Sequence, residues 1–299
     1  MPELGSAGDI PGVTALSLDG KGGASPVGPA AAVAAPPGAS IWIHIDFSDP
    51  QAADWAWESS GLEDSIVSAM LDPESRPRTL QQGDGVLTML RGVNLNPGAR
   101  LEDMISVRTW LEPGRVVTAS RRRLRSLTEI REAVERGDGP TSPARLVVDL
   151  VERLNHYIGE AIEQIEEKID RAEDEATRDT SLNRSSSFNR LRRQTAQIRR
   201  YLSPQREALD RLARVTDALF QSSEMIELRE QLNGTHDYEG AEKIELSELL
   251  ALKKEKREEN TAYFRDTGQL KRELLDTIIE YKAVQQREKL INEVAQPRK

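Results

Sequence analysis

From Phe188 to Leu219 the chain repeats one seam position every three or four residues: Phe188, Leu191, Thr195, Ile198, Leu202, Gln205, Leu209, Leu212, Thr216 and Leu219. Such steps average about 3.5 residues, which places the whole set on one side of a helix. A seam of that length needs a partner helix. An equally regular ladder lies upstream at Val147, Leu150 or Val151, Leu154, Tyr157 or Ile158, Ala161 or Ile162, Ile165 and Ile169. Thr180, Ser181, Asn183 and the run Ser185-Ser186-Ser187 between the two ladders read as a polar connection and helix start. The pattern predicts a long antiparallel helical hairpin.

Charge supports the pairing. The second half of the first helix, expected over about Ala144 to Arg178, carries Glu160, Glu163, Glu166, Glu167, Asp170, Glu173, Asp174 and Glu175. The first half of the second helix carries Arg184, Arg190, Arg192, Arg193, Arg199 and Arg200. Antiparallel packing sets these halves side by side, at a gain of roughly 0.2 to 1 kcal/mol for each exposed pair. The acidic face is also open to a second reading, as a surface that attracts divalent cations. Pro204 falls inside the second run, where a proline removes a backbone hydrogen bond and costs about 3 kcal/mol unless the helix kinks, so a bend is expected.

Ahead of the hairpin the signals alternate between strand and helix. Met1 to about Gly12 is expected to be mobile, Val13 to Leu18 to be a strand closed by Asp19-Gly20, and the stretch on to Ser40 to be a loop or linker. Ile41 to Phe47 is the strongest strand signal, apolar at its odd positions. His44 and Asp46 share its other face, which suits either a metal pair or an ordinary polar strand face. Ser48-Asp49-Pro50 is a helix start, with helices expected over Gln51 to Ser60 and Leu62 to Leu71. Pro73, Pro77 and Gly83-Asp84-Gly85 mark a loop. Val86 to Asn94, Met104 to Leu111 and Arg115 to Ser120 read as strands, the last two joined by a type II turn at Glu112-Pro113-Gly114-Arg115. Leu124, Leu127, Ile130, Ala133 and Val134 form the apolar face of a helix ending near Gly137, and Ser142-Pro143 opens the hairpin. Beyond Asn233-Gly234, a charged and mostly helical stretch from Ala241 to Val294 carries sparser apolar residues.

These elements predict an α+β fold: a mixed sheet sandwiched by helices, followed by a long antiparallel helical hairpin and a long C-terminal stalk helix. The divisions are a flexible N-terminus over 1–12, an α/β domain over 13–141, the hairpin over 142–232 and a stalk-like region over 233–299. Charged residues at 30% and aromatics at 4% suit extended solvated helices. With no cysteine, disulfides and thiolate zinc sites are excluded. A net charge of −9 argues against a nucleic-acid binder, since phosphate binding is driven by lysine and arginine. No stretch approaches the roughly 18 apolar residues of a bilayer-spanning helix, and no basic region followed by an apolar core marks a secretory signal, so a soluble chain is expected.

Neither common glycine-rich phosphate loop, nor a serine elbow, nor a metalloprotease histidine pair is present, and an enzyme is not expected. His156 lies one turn from Glu152 and from Glu160, open to a weak metal site or to helix-face pairing. Arg121-Arg122-Arg123-Leu124-Arg125 is open to meeting a phosphate or an acidic partner, or to being a solvated helix face.

Taken together, several segments resemble the cytoplasmic portion of the CorA-type metal ion transporters, in particular the ZntB-like zinc branch. They are Ile41-Trp42-Ile43-His44-Ile45-Asp46, Asp84 to Asn94, Asp103 to Leu111 and Arg115-Val116-Val117-Thr118. The most specific is Leu191-Arg192-Arg193-Gln194 leading to Arg199-Arg200-Tyr201-Leu202-Ser203-Pro204-Gln205-Arg206-Glu207. The resemblance covers roughly Val13 to Leu232 and implies a cytosolic domain with a stalk, assembled as a homopentameric funnel. It implies zinc or magnesium as transported or regulatory ions, with zinc coupled to protons in the ZntB-like branch. It fixes no metal ligand, no catalytic residue and no cofactor-binding residue. The family's two membrane helices and its Gly-Met-Asn tripeptide are not found, and Gly92-Val93-Asn94 imitates the tripeptide only by coincidence. The expectation is therefore a cytoplasmic, self-associating, divalent-cation-handling domain without a pore, at the inner face of the membrane when part of a full-length transporter. The alternative is a soluble scaffold or regulatory protein with the same fold and no metal role.

Overall fold

In the computed structural model the described residues are 10–73, 76–100, 102–178, 184–215, 219–233 and Arg272. Seven strands form one mixed sheet: β1 (Val13–Leu18), β2 (Ala24–Pro26), β3 (Ile41–Asp46), β4 (Arg78–Gln82), β5 (Gly85–Gly92), β6 (Ile105–Glu112) and β7 (Arg115–Ser120), in the order β2-β1-β3-β7-β6-β5-β4. Only β3 and β7 run parallel; every other neighbouring pair is antiparallel. The connection between those two parallel strands carries α2 (Pro50–Ser59), α3 (Asp64–Leu71) and the β4-β5-β6 meander. A short α1 (Pro29–Val33) precedes β3.

Both faces of the sheet are covered, so its central strands are apolar on both sides, as buried strands must be. On one face Ile43, Ile45, Leu87, Met89 and Trp110 pack under α2 and α3 through Trp55, Ile66, Val67 and Met70. On the other, Val86, Leu90, Val107 and Val116 pack under α4 (Arg125–Arg136), α5 (Pro143–Arg178), α6 (Arg184–Val215) and α7 (Ser222–Asn233). The expected sandwich is observed, and the base of the hairpin is itself one of its outer layers. Leu146, Leu150 and Leu154 of α5 and Leu209 and Leu212 of α6 belong to the same core as the sheet. Further out, Ile158, Ile162 and Ile165 meet Ile198 and Leu202, which fixes the helices as antiparallel.

The local signals explain the boundaries. Asp49 caps α2 by accepting from the Gln51 N–H at 2.9 Å, with Pro50 at the first helical position. Gly114 turns at φ 80°, as the third position of a type II turn requires. At the end of α4, Gly137 takes φ 83° while the Gly137 and Asp138 N–H groups bond back to the Val134 and Ala133 carbonyls, a Schellman cap. Glu224 reaches back to the Gln221 N–H at 2.8 Å and accepts from the Ser142 hydroxyl at 2.6 Å, joining the starts of α5 and α7.

Several expectations are corrected. The stretch to Ser40 is not a plain loop, since it contains β2 and α1 and buries Ala32. Residues Arg78–Gln82, placed in a loop, pair with β5 as an edge strand, with Gly83 and Asp84 as the turn. The seam through Leu219 is not one helix: α6 stops at Val215, and α7 returns to pack on α5 through Met225 and Leu228. Ser185–Ser187 lie in the first turn of α6, in keeping with the helix start expected there. Pro204 lies inside α6, as its place in the seam implies. Within the segment expected to be mobile, the Gly12 carbonyl accepts from the Asp46 N–H at 2.7 Å, so its last residues are tied to β3. The expected stalk helix, and most side chains in the acidic and basic halves of the outer hairpin, lie outside the described residues. No helix among the described residues is long and apolar enough to cross a membrane.

Candidate functional site

Where β5 leaves the sheet it no longer has β4 beside it, and α6 takes over. Gln205, a polar member of the seam, accepts the Arg91 N–H at 2.6 Å and so occupies a bond that a strand would otherwise make. One turn further, the Thr79 hydroxyl of β4 donates to the Ala208 carbonyl at 2.6 Å. Beyond β5, Asn94 builds the next loop: its Oδ1 accepts from the Asn96 N–H at 3.1 Å and its amide donates to Asp103 at 3.3 Å. The Gly92-Val93-Asn94 tripeptide therefore ends a strand and starts a turn.

The space enclosed by this loop, β6 and α6 is a cleft of about 690 Å³ lined by Arg91, Arg100, Arg108, Arg121, Arg122 and Arg200, with Glu102 and Asp103 as its acidic residues. Arg108 is the deepest, 2% exposed, with its guanidinium 4.8 Å from the Phe47 ring centre and donating to the Asp72 carbonyl. Burial pushes its pKa down to about 10, with Arg91 and Arg78 adding to the effect and Asp72 opposing it. Arg91 lies 4.7 Å over the Tyr201 ring and donates to the Met104 carbonyl at 3.3 Å. The basic run is thus divided by the fold. Arg121 and Arg122 face the cleft, Leu124 is buried in the core, and Arg125 pairs with Glu129 at 2.9 Å. Glu129 also accepts from Tyr157, whose hydroxyl burial and this contact push up to about 12.

The metal-oriented candidates do not converge. His44 lies on the sheet beside a separate cavity of about 520 Å³ that also holds Asp46, Arg123 and Arg131. The Thr118 hydroxyl accepts from Trp42 Nε1 at 2.9 Å and lies 2.9 Å from His44 Nδ1, to which its hydrogen can turn. Asp46 is engaged by the Ser48 N–H and hydroxyl at 3.0 and 2.6 Å. His156 sits 3.3 Å from Glu160 on an exposed face of α5, a helix-face pair. Among the described residues no group of three or more histidines and carboxylates is arranged to hold a metal ion.

Burial holds His44 at a pKa of about 4, with Arg131 adding to the depression and Asp46 opposing it. The unfolded chain then takes up a proton near pH 6.5 that the folded chain refuses, so the neutral histidine's contribution is intact above that pH and lost as pH falls toward 4. At about 1.4 kcal/mol per unit the loss reaches up to about 3 kcal/mol. Urea midpoints of the wild type should therefore fall between pH 7 and pH 4.5 by more than those of His44→Gln. Parallel pH profiles would contradict the assignment.

Sequence reasoning reached Arg121 and Arg122 but not Arg91, Arg108 or Arg200 as parts of one site. The available signal was an arginine within an apolar strand, Ser106-Val107-Arg108-Thr109-Trp110, where a charge is costly unless it has a purpose.

The model of one family, described as CorA-like Mg2+ transporter protein, matches residues 38–255. The divalent cation transporter CmaX of Pseudomonas aeruginosa is 35% identical over 201 residues, 66% of this chain and 60% of that protein. The zinc transport protein ZntB of Pectobacterium carotovorum is 31% identical over 201 residues, 67% of this chain and 61% of that one. The chain therefore spans only about 60% of the length of these relatives. Among solved structures, full-length CmaX aligns with a TM-score of 0.69 at 28% identity, covering 97% of this chain and 78% of that chain. The ZntB cytoplasmic domain from Vibrio parahaemolyticus aligns with a TM-score of 0.63 at 21% identity, covering 94% and 99%, a likeness of fold.

Proposed function

The chain belongs to the CorA-like Mg2+ transporter protein family, and on that premise we propose that it is the cytosolic part of a divalent-cation transporter of the ZntB-like kind. The family match over 38–255 carries this reading, supported by a fold that follows full-length CmaX over 97% of the chain. Zinc is the proposed cargo, magnesium the second choice, and a homopentamer the proposed assembly. Its relatives are transport proteins rather than enzymes, in keeping with a role in handling ions rather than converting a substrate. Transport itself belongs to the whole assembled protein, at the inner face of the membrane.

In this reading the outer α5 face, with Glu160, Glu163 and Glu167 exposed, raises the local concentration of cations rather than ligating them. Native mass spectrometry of the full chain with and without zinc tests it directly. A pentamer that gains zinc is the expected result; a monomer or dimer indifferent to zinc and magnesium would overturn the proposal. Converting Glu160, Glu163 and Glu167 together to glutamine should lower zinc occupancy severalfold at low ionic strength. The difference should shrink at about 1 M salt, where the screening length is only about 3 Å.

A further inference from the structure

A cation carrier has no need of the arginine cleft beside α6. Its described lining sets six arginines against two carboxylates. Both carboxylates are already engaged: Asp103 with Arg122 at 2.8 Å and with the Asn94 amide, Glu102 with the Gln194 amide at 2.9 Å. At the floor, Arg108 forms no ion pair among the described residues, and its buried Nε has no hydrogen-bond partner. Arg108 is buried beside Arg91 with a backbone carbonyl as its hydrogen-bond acceptor and the Asp72 carboxylate as a nearby counter-charge, an arrangement that a further anion in the cleft would complete.

We propose that this cleft binds a phosphate-class oxyanion, either free (inorganic phosphate or pyrophosphate) or as the phosphoryl groups of a nucleotide, with Arg108 and Arg91 at its floor and Arg100, Arg121 and Arg200 around its mouth. Guanidinium forks match the paired oxygens of a tetrahedral oxyanion, and several around one cavity favour a multiply charged ligand. The volume of about 690 Å³ lies in the range of small-molecule sites and far exceeds what a single halide fills. Phe47 and Tyr201 lie 4.8 and 4.7 Å from the guanidinium groups of Arg108 and Arg91, contacts that help fix the donors before a ligand arrives.

Isothermal titration of the full chain in low-salt HEPES, with pyrophosphate, inorganic phosphate, ADP and sodium chloride as separate ligands, tests the assignment. Pyrophosphate should bind saturably and raise Tm with its concentration. ADP binding more tightly than pyrophosphate would assign a nucleotide, equal affinity a free phosphate compound. Arg100→Ser and Arg121→Ser, both at exposed positions, should together weaken binding at least tenfold while leaving the unliganded Tm unchanged. Arg108→Met should abolish binding; should it fail to fold, the two mouth variants decide. Absence of saturable binding by all three phosphate ligands, binding of chloride alone, or affinity unchanged in the mouth variants would overturn the proposal. So would loss of self-association in those variants without phosphate binding by the wild type, which would give the cleft to carboxylates of a second copy.

Discussion

Gly85→Val should leave the domain unfolded at room temperature, and Gly85→Ala should cost on the order of 3 kcal/mol, the upper end of what overpacking a core ordinarily costs. A Cβ at this position would lie 2.2 and 2.4 Å from the Cζ2 and Cη2 atoms of Trp110. The indole cannot swing aside easily: it is 6% exposed and its Nε1 donates to Glu112 at 2.8 Å. Nor can the backbone retreat, because Gly85 is paired with Gln82 across the β4-β5 turn. The indole in effect covers the bare backbone of the strand. Urea unfolding followed by tryptophan fluorescence reads the effect. Gly28→Ala, where an added Cβ meets nothing within 4 Å, is the control: as the N-cap of α1 it should cost no more than about 1 kcal/mol. Equal midpoints for Gly85→Ala and the control would contradict the packing described.

Leu154→Ala should cost about 3 to 4 kcal/mol, as expected for a leucine truncated in a core unable to collapse around the gap. Leu154 is 1% exposed and sits where α5, the sheet and Leu124 meet. The more discriminating result concerns its neighbour. A Cβ on Gly92 would fall 2.6 Å from Leu154 Cδ2 and 2.8 Å from Leu124 Cδ1, so Gly92→Ala alone should overpack the site. Combined with Leu154→Ala, the new methyl enters part of the space the leucine vacated. The double variant should then be more stable than the sum of the single losses predicts, by roughly 0.5 to 3 kcal/mol. Strict additivity would show that the two positions do not share a cavity.

Legibility from sequence tracked how far each element depends on distant partners. The seam residues Ile198, Leu202, Gln205, Leu209 and Leu212 are all buried, because a three-and-four spacing and burial of one helix face are the same physical statement. Gln205 is legible from sequence only as a seam position; its bond to the Arg91 N–H is visible only with β5 beside it. Strand β4, Arg-Thr-Leu-Gln-Gln, carries almost no strand signal of its own; pairing with β5 and the Thr79 bond to α6 hold it in place. The sequence does not separate helix α7 from α6, because the hairpin reads as continuing to residue 232, while the packing of Met225 and Leu228 on α5 that defines its return is a long-range contact. The arginine cleft gathers arginines from 91 to 200 out of two strands, the loops that follow β5 and β7, and one helix, and no local window contains it.

The two bonds that tie α6 to the sheet have a mechanical consequence. Gln205 grips the β5 backbone and the Ala208 carbonyl grips β4, both at 2.6 Å and one helical turn apart. Two anchors so closely spaced make a fulcrum. They resist sliding of α6 along its axis more than they resist tilting about that turn. Pro204 sits immediately before the first anchor and denies the Arg200 carbonyl its usual helical donor, so the turn beside the fulcrum is the softest part of the lever. A load on the outer hairpin would be converted there into rotation, and the first groups displaced would be Arg200 and Tyr201, at the mouth of the cleft.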